Sequence, residues 1–228
     1  MQENLFVERI KINRNNVKEF SVYFNEKDSG VMSKINLIAI GSSTGGTEAL
    51  AAIIPKLRPP LPPIVIVQHI PPKFSTMFSE RLNKESILTV KEGEHGEVIK
   101  ENFVYIAPGG LHMELRRSRA GILQIRCFMA EPVHSCRPAV DILFHSVAEL
   151  VGENALGVIL TGIGHDGTAG LLEMKAQGAS TLGQDEATSV VYGMPKSAFE
   201  CGAVDRQIPL GDMAAEIMAA VKKSYISG

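Results

Sequence analysis

Three residues of this chain are of the types that build a nucleophilic hydrolase: a serine, a histidine and an aspartate, each following an apolar, strand-like run. Gly41-Ser42-Ser43-Thr44-Gly45 has the spacing G-x-S-x-G where the run NLIAIG gives way to a helical pattern. A strand that turns sharply into a helix needs small residues on both sides of the turn. Such a turn lifts the Ser43 hydroxyl out of the sheet edge beside the unpaired N–H groups of the helix start, so nucleophile and oxyanion stabiliser share one turn. His69 ends the run PIVIVQH, and Asp166 closes the glycine-rich loop Thr161-Gly162-Ile163-Gly164-His165-Asp166-Gly167 after ALGVIL. In a triad the histidine takes the serine proton, while the carboxylate fixes its tautomer and stabilises the imidazolium.

Each feature also has an ordinary structural use. G-x-S-x-G builds βα turns, a histidine packs at a strand end, and an aspartate caps a helix. Chemistry is favoured by the conjunction, because ligand sites of open parallel sheets form outside the carboxyl ends of strands, where the strand order reverses. The chain order Ser, His, Asp differs from that of the α/β-hydrolases, of chymotrypsin and of subtilisin. Gly41, Gly45 and Gly46 fit neither G-x-G-x-x-G nor a P-loop. No H-x-x-x-H or C-x-x-C pair is present, so neither a metal nor another cofactor is expected. Among the other histidines, His95 and His145 read as solvated, and His112 and His134 fall in irregular regions. His165 shares a tight loop with Asp166 and is poorly placed to bridge that carboxylate to Ser43.

The elements that must position these groups follow from patterning. NLIAIG, PIVIVQH, NFVYIAPG and ALGVILTG are continuous apolar runs, as expected of parallel strands covered on both faces. Helical patterns span residues 47–57, 75–83, 138–151, 167–177 and 212–223, and in 138–151 Val140, Leu143, Phe144, Val147, Leu150 and Val151 form one stripe. LHMELRR and GILQIRCFM flank a turn and predict a hairpin near the sheet edge. The expected fold is α/β, a doubly wound, mainly parallel sheet with helices on both faces and a peripheral antiparallel hairpin. Residues 36–228 form the catalytic domain in this reading. Residues 1–35 are polar and irregular, a linker or tail in which FVERIKI and EFSVYF could pair as a hairpin.

Composition narrows the partners. The chain has 228 residues, 45% hydrophobic and only 6% aromatic, which suits one aliphatic core. Its 23 basic residues stand against 25 acidic ones, so nothing draws it to nucleic acid or to an anionic membrane surface. Three cysteines, Cys127, Cys136 and Cys201, lie in no disulfide or metal pattern, and the start MQENLFVERIK lacks an apolar leader. No apolar run reaches membrane-spanning length. A reduced, cytoplasmic protein without membrane insertion is expected.

The stretches IAIGSSTGGTEAL, IVIVQHIP, NFVYIAPGGLHM, HSCRPAVDILFHSVAE, GVILTGIGHDGTAGLLEMKAQGA and QDEATSVVYGMP, in this order from about residue 36, resemble the motifs of the chemotaxis protein-glutamate methylesterases. The resemblance implies a serine hydrolase with Ser43, His69 and Asp166 as its triad. It implies a substrate as well: glutamate methyl esters on the cytoplasmic helices of methyl-accepting chemoreceptors, released as methanol, with deamidation of receptor glutamines as a second activity. Thr44 and Ile163 are the expected backbone oxyanion donors, and Arg137 could orient an acidic receptor helix or pair near a helix start. Rival readings are a stand-alone hydrolase of small esters and a receptor-docking module without turnover. Family members normally carry an N-terminal receiver domain that does not fit into residues 1–35, which suggests an excised domain or a stand-alone relative. Ser42 stands where an alanine is common, and its replacement by alanine is expected to be nearly neutral.

Overall fold

In the computed structural model the described residues are 34–226. The expected tail or hairpin of residues 1–35 therefore lies, but for Lys34 and Ile35, outside the described residues. Ile35 is already buried, and its N–H donates to Ser224 Oγ at 3.0 Å.

The strands are β1 (Leu37–Ser42), β2 (Ile64–Gln68), β3 (Thr89–Glu92), β4 (Phe103–Ile106), β7 (Ala155–Ile159), β8 (Ser180–Gln184) and β9 (Arg206–Ile208), with β5 (His112–Arg117) and β6 (Leu123–Phe128) as a separate antiparallel pair. The helices are α1 (Gly46–Ile53), α2 (Phe74–Glu85), α3 (Val140–Leu150), α4 (Thr168–Ala176), α5 (Met194–Glu200) and α6 (Leu210–Ile226). The seven strands of the main sheet run in the order β3-β4-β2-β1-β7-β8-β9, and each neighbouring pair is parallel.

Apolar runs without alternation make sense once both faces are covered. On β1, Ile38 and Ile40 join one core with residues of α1, α2 and α6. Leu37 and Ala39 join the other, with α3, α4, α5 and the β5–β6 pair. Val140, Leu143, Phe144 and Val147 of the expected helical stripe are fully buried there, and Leu150 and Val151 pack against them. Burying one such side chain contributes roughly 1.5–3 kcal/mol, so the stripe alone anchors α3 to the sheet.

Two details depart from the sequence reading. The hairpin joins no edge of the main sheet but forms a two-stranded sheet that packs its Met113, Leu115 and Ile125 on the second core. His112 is not in an irregular region. It opens β5, is fully buried, receives the Ala139 N–H on Nδ1 at 3.3 Å and reaches Glu131 O through Nε2 at 3.0 Å. A histidine that braces the approach to α3 in this way is part of the scaffold.

The topology fixes where ligands meet the sheet. From β1 the chain first adds β2, then β3 at the far edge and β4 between the two, and returns to add β7, β8 and β9 on the other side. The order reverses at β1, so the carboxyl ends of β2, β1 and β7 flank the crevice. Ser43, His69 and the loop to Asp166 follow these three adjacent strands.

Candidate active site

The nucleophile turn is set by β1 and by one glycine. Ser42 ends β1 and Gly45, at φ 78°, caps α1 in the left-handed region that L side chains avoid. The Ser43 N–H donates to Thr161 O at 3.0 Å and the His69 N–H to Ser42 O at 3.1 Å, so both turns continue the sheet ladders. Ser43 remains half-buried.

His69 joins the other two groups. Its Nδ1 lies 3.1 Å from Ser43 Oγ and its Nε2 lies 2.7 Å from Asp166 Oδ2. With the ring proton on Nε2 and donated to the carboxylate, the Nδ1 lone pair faces the serine hydroxyl. This is the reverse of the chymotrypsin arrangement, where Nε2 faces the serine. The chemistry is unchanged, because either ring nitrogen can serve as base while the other is held.

Asp166 is buried at 2% exposure. Besides the His69 bond, its Oδ2 accepts the Val140 N–H at 2.7 Å and its Oδ1 the Asp141 N–H at 2.9 Å. These are the first two residues of α3, whose N-cap position is held by Ala139 without a side-chain cap. The carboxylate therefore caps a helix belonging to another segment, at the positive end of its dipole. Burial by itself would raise the Asp166 pKa. The hydrogen bonds from His69, Asp141 and Val140 and the attraction to His69 overcome it and hold the group below its ordinary value. Asp166 thus stays ionised beside the histidine.

Comparison with known proteins identifies the family. The CheB methylesterase family model matches residues 38–217. The crystal structure of the Thermotoga maritima CheB methylesterase catalytic domain superposes with a TM-score of 0.78 at 40% identity, covering 81% of this chain and 97% of that one. The chain belongs to the CheB methylesterase family. A protein-glutamate methylesterase/protein-glutamine glutaminase of Photorhabdus laumondii is 50% identical over 191 residues, 84% of this chain and 54% of that protein. One of Pectobacterium atrosepticum is 49% identical over the same length. The chain spans about half the length of these curated relatives.

The remaining expected residues of this family member are placed as follows. Thr44 is exposed, and its N–H meets no acceptor among the described residues. Its carbonyl accepts from the buried Thr161 hydroxyl at 3.0 Å. Ile163 is 65% exposed and follows Gly162, whose Cα lies so close to Ser43 that an added Cβ would stand 2.8 Å from Ser43 Cβ. The Ile163 N–H likewise has no acceptor among the described residues. Arg137 is half-buried and donates through Nη1 to Ala130 O at 2.6 Å, bracing its own loop.

Sequence reasoning missed the brace beneath the site. Gln68, buried at the end of β2, donates through Nε2 to Ser43 O at 2.9 Å and to His69 O at 3.0 Å. Its Oε1 accepts the Ser42 hydroxyl at 2.6 Å. Ser42 therefore points into the sheet and does not compete with Ser43. A polar residue closing an apolar strand was the signal for Gln68. A second pair, His134 Nε2 and Asp141 Oδ2 at 2.9 Å, stands behind Asp166, with the Gly170 N–H on Asp141 Oδ1. Cys136 Sγ comes within 3.4 Å of His69 Nδ1, and its pKa is raised by burial and then by the Asp166 charge.

Ser43 and His69 are only half-buried at the carboxyl ends of the central strands. Ile163 and Val190, 65% and 68% exposed, stand beside the nucleophile turn, with Val190 against Gly45. Two clefts elsewhere, one lined by Thr76, Glu80 and Lys91 and the other by Leu182, Arg206 and Glu216, contain none of the triad residues.

Proposed function

We propose that this chain is a serine hydrolase that demethylates glutamate methyl esters on chemoreceptor helices in the cytoplasm and deamidates receptor glutamines. The observation that carries the reading is the His69 ring bridging Ser43 Oγ and the ionised Asp166 at hydrogen-bond distance. The names of the relatives, protein-glutamate methylesterase/protein-glutamine glutaminase, supply the substrate class.

His69 Nδ1 accepts the Ser43 proton as Oγ attacks the ester carbonyl carbon. The N–H groups of Thr44 and Ile163 receive the oxyanion; a donor of this kind contributes about 2.7–4 kcal/mol to the barrier reduction. Collapse breaks the bond to the methoxy oxygen, which leaves as methanol with the proton from Nδ1. Water, deprotonated by the same nitrogen, then attacks the acyl-serine and releases glutamate and free Ser43. With a glutamine side chain the leaving group is ammonia. Asp166, fixed by the N-terminus of α3, holds the ring in the tautomer that both half-reactions require.

A site only half-buried and rimmed by the exposed Ile163 and Val190 suits a side chain presented on a receptor helix better than an enclosed small ester. Arg137 contributes chiefly through the loop it braces, its charge favouring acidic receptor segments. Among the described residues no helix is long and apolar enough to cross a membrane. The test is methanol release from methylated receptor membranes, compared with turnover of an aryl acetate. Receptor methanol release that vanishes in Ser43→Ala supports the reading; aryl-ester turnover with no receptor activity would leave a small-ester hydrolase in its place.

A further inference from the structure

Cys136 has no part in the hydrolysis just described, yet its thiol reaches the atom on which hydrolysis depends. Cys136 Sγ is 3.4 Å from His69 Nδ1, the nitrogen that also faces Ser43 Oγ at 3.1 Å. In a tetrahedral zinc site, His nitrogen at about 2.0–2.1 Å and Cys sulfur at about 2.3 Å from the metal stand about 3.5 Å from each other. The pair already has that separation. The far side of the ring is equally suited, because Nε2 is tied to Asp166 Oδ2 at 2.7 Å. Metal-binding histidines are held in just this way, by a carboxylate on the nitrogen that does not ligate.

A rival cluster, His134 with Asp141 and Asp166, brings its ligand atoms within 4.8 Å of one another. Its carboxylates already accept backbone N–H groups of Val140, Asp141 and Gly170, whose positive ends oppose a cation. Among the described residues no backbone N–H is bonded to Cys136 Sγ or His69 Nδ1, and the two are the softer set.

We propose that His69 Nδ1 and Cys136 Sγ form a reversible site for a soft divalent metal, Zn²⁺ or Cd²⁺, and that its occupancy arrests the hydrolase. Ser43 Oγ and water complete the coordination. On binding, the thiol loses its proton to solvent, and Sγ, Nδ1 and Ser43 Oγ replace waters of the hydrated ion, with no change of oxidation state. The metal then occupies the lone pair that must receive the Ser43 proton, and turnover stops until a chelator removes it. The arrest rests on reading the triad as a hydrolase; the binding does not.

The full chain, reduced and then freed of thiol, is titrated first with Co²⁺, whose bonds to thiolate give a near-ultraviolet charge-transfer band. The band is expected in the unmodified chain, in Cys127→Ser and in Cys201→Ser, and is expected to be lost in Cys136→Ser and in His69→Gln. Zn²⁺ is then titrated against aryl-ester turnover, each variant normalised to its own metal-free rate. The half-inhibiting concentration should rise by more than about tenfold in Cys136→Ser. Chelator should restore the unmodified rate, and Mg²⁺ should leave it unchanged. Absence of the band, its survival in Cys136→Ser, or equal Zn²⁺ sensitivity of the two chains would overturn the site. A band that behaves as expected in a chain without esterase turnover would establish the metal pair and count against the hydrolase reading and the arrest.

Discussion

The Asp166 carboxylate accepts the Val140 N–H at 2.7 Å, so the acid of the proposed triad also caps α3. The proposed mechanism thus joins catalysis and helix stability in one side chain. Asp166→Asn should favour the wrong His69 tautomer and lower kcat by up to ~10⁴-fold, measured as methanol release. A loss of about 1 kcal/mol in denaturant unfolding should accompany it, from the weakened cap.

The same bonds predict a pH effect on stability. Asp166 is held below its ordinary value of 3.8 when folded, so the unfolded chain takes up the proton first as pH falls. The contribution is complete above that ordinary value and is lost as pH drops through the folded pKa beneath it. The amide of the Asp166→Asn variant does not titrate. Unfolding free energies should therefore show the advantage of the unmodified chain over Asp166→Asn shrinking below about pH 4; a constant difference across that range would exclude the depressed carboxylate.

Ser43 and Ser42 should separate cleanly. Ser43→Ala should lower kcat by on the order of 10⁶-fold with little change in unfolding, because the proposed mechanism makes this hydroxyl the nucleophile and the acceptor it leaves, His69 Nδ1, is partly exposed. Ser42→Ala removes the donor to buried Gln68 Oε1. It should cost about 1–3 kcal/mol of stability with little loss of kcat, so the neutrality expected from sequence should hold for activity alone. Circular dichroism melts beside the esterase assay read both.

These serines illustrate what the sequence could tell. Ser43, His69 and Asp166 stand out in the sequence because each follows a strand-like run, and strand ends are where such sheets bind ligands; the structure brings the three within hydrogen-bond distance. Their mutual geometry was not legible: that Nδ1 rather than Nε2 faces the serine depends on how the ring enters the crevice. Cys136 and His69 are separated by 67 residues, beyond any local ligand spacing. β8, with Ser180, Thr181, Gly183 and Gln184, lacks an apolar run, and β9 has three residues at the sheet edge. Tertiary cover makes them strands. The helix boundaries came within a few residues, except for α5, which its short seven-residue span concealed.

Gln68 should matter to catalysis without touching substrate. Its amide joins the carbonyls of Ser43 and His69, so Gln68→Met, similar in volume, frees nucleophile and base from each other. Misplacement of this kind should lower kcat on the order of 10²-fold with KM unchanged. Gln68→Glu keeps the acceptor for Ser42 but loses both donors, and a wild-type kcat in either variant would show that the brace is dispensable.

Glycine substitutions test the closeness of the packing at the nucleophile. A Cβ on Gly162 would stand 2.2 Å from Met194 Sδ and 2.8 Å from Ser43 Cβ. Real Cβ atoms do not approach so near, so Gly162→Ala must push the Ser43 side chain or the start of α5 away and disturb the neighbouring Ile163 N–H. The expected result is a loss of at least 10²-fold in kcat, on the order of one oxyanion donor, with a lower melting temperature. Gly211, in the first turn of α6, has open space around the same atom. There alanine restricts the unfolded chain and favours the helix, so Gly211→Ala should leave kcat unchanged and raise stability by about 0.4–1 kcal/mol. The two variants differ only in where one methyl group is added. If Gly162→Ala kept full activity, the segment after β7 would not be packed against Ser43 as described, and the assignment of the Ile163 N–H to the oxyanion would fall with it.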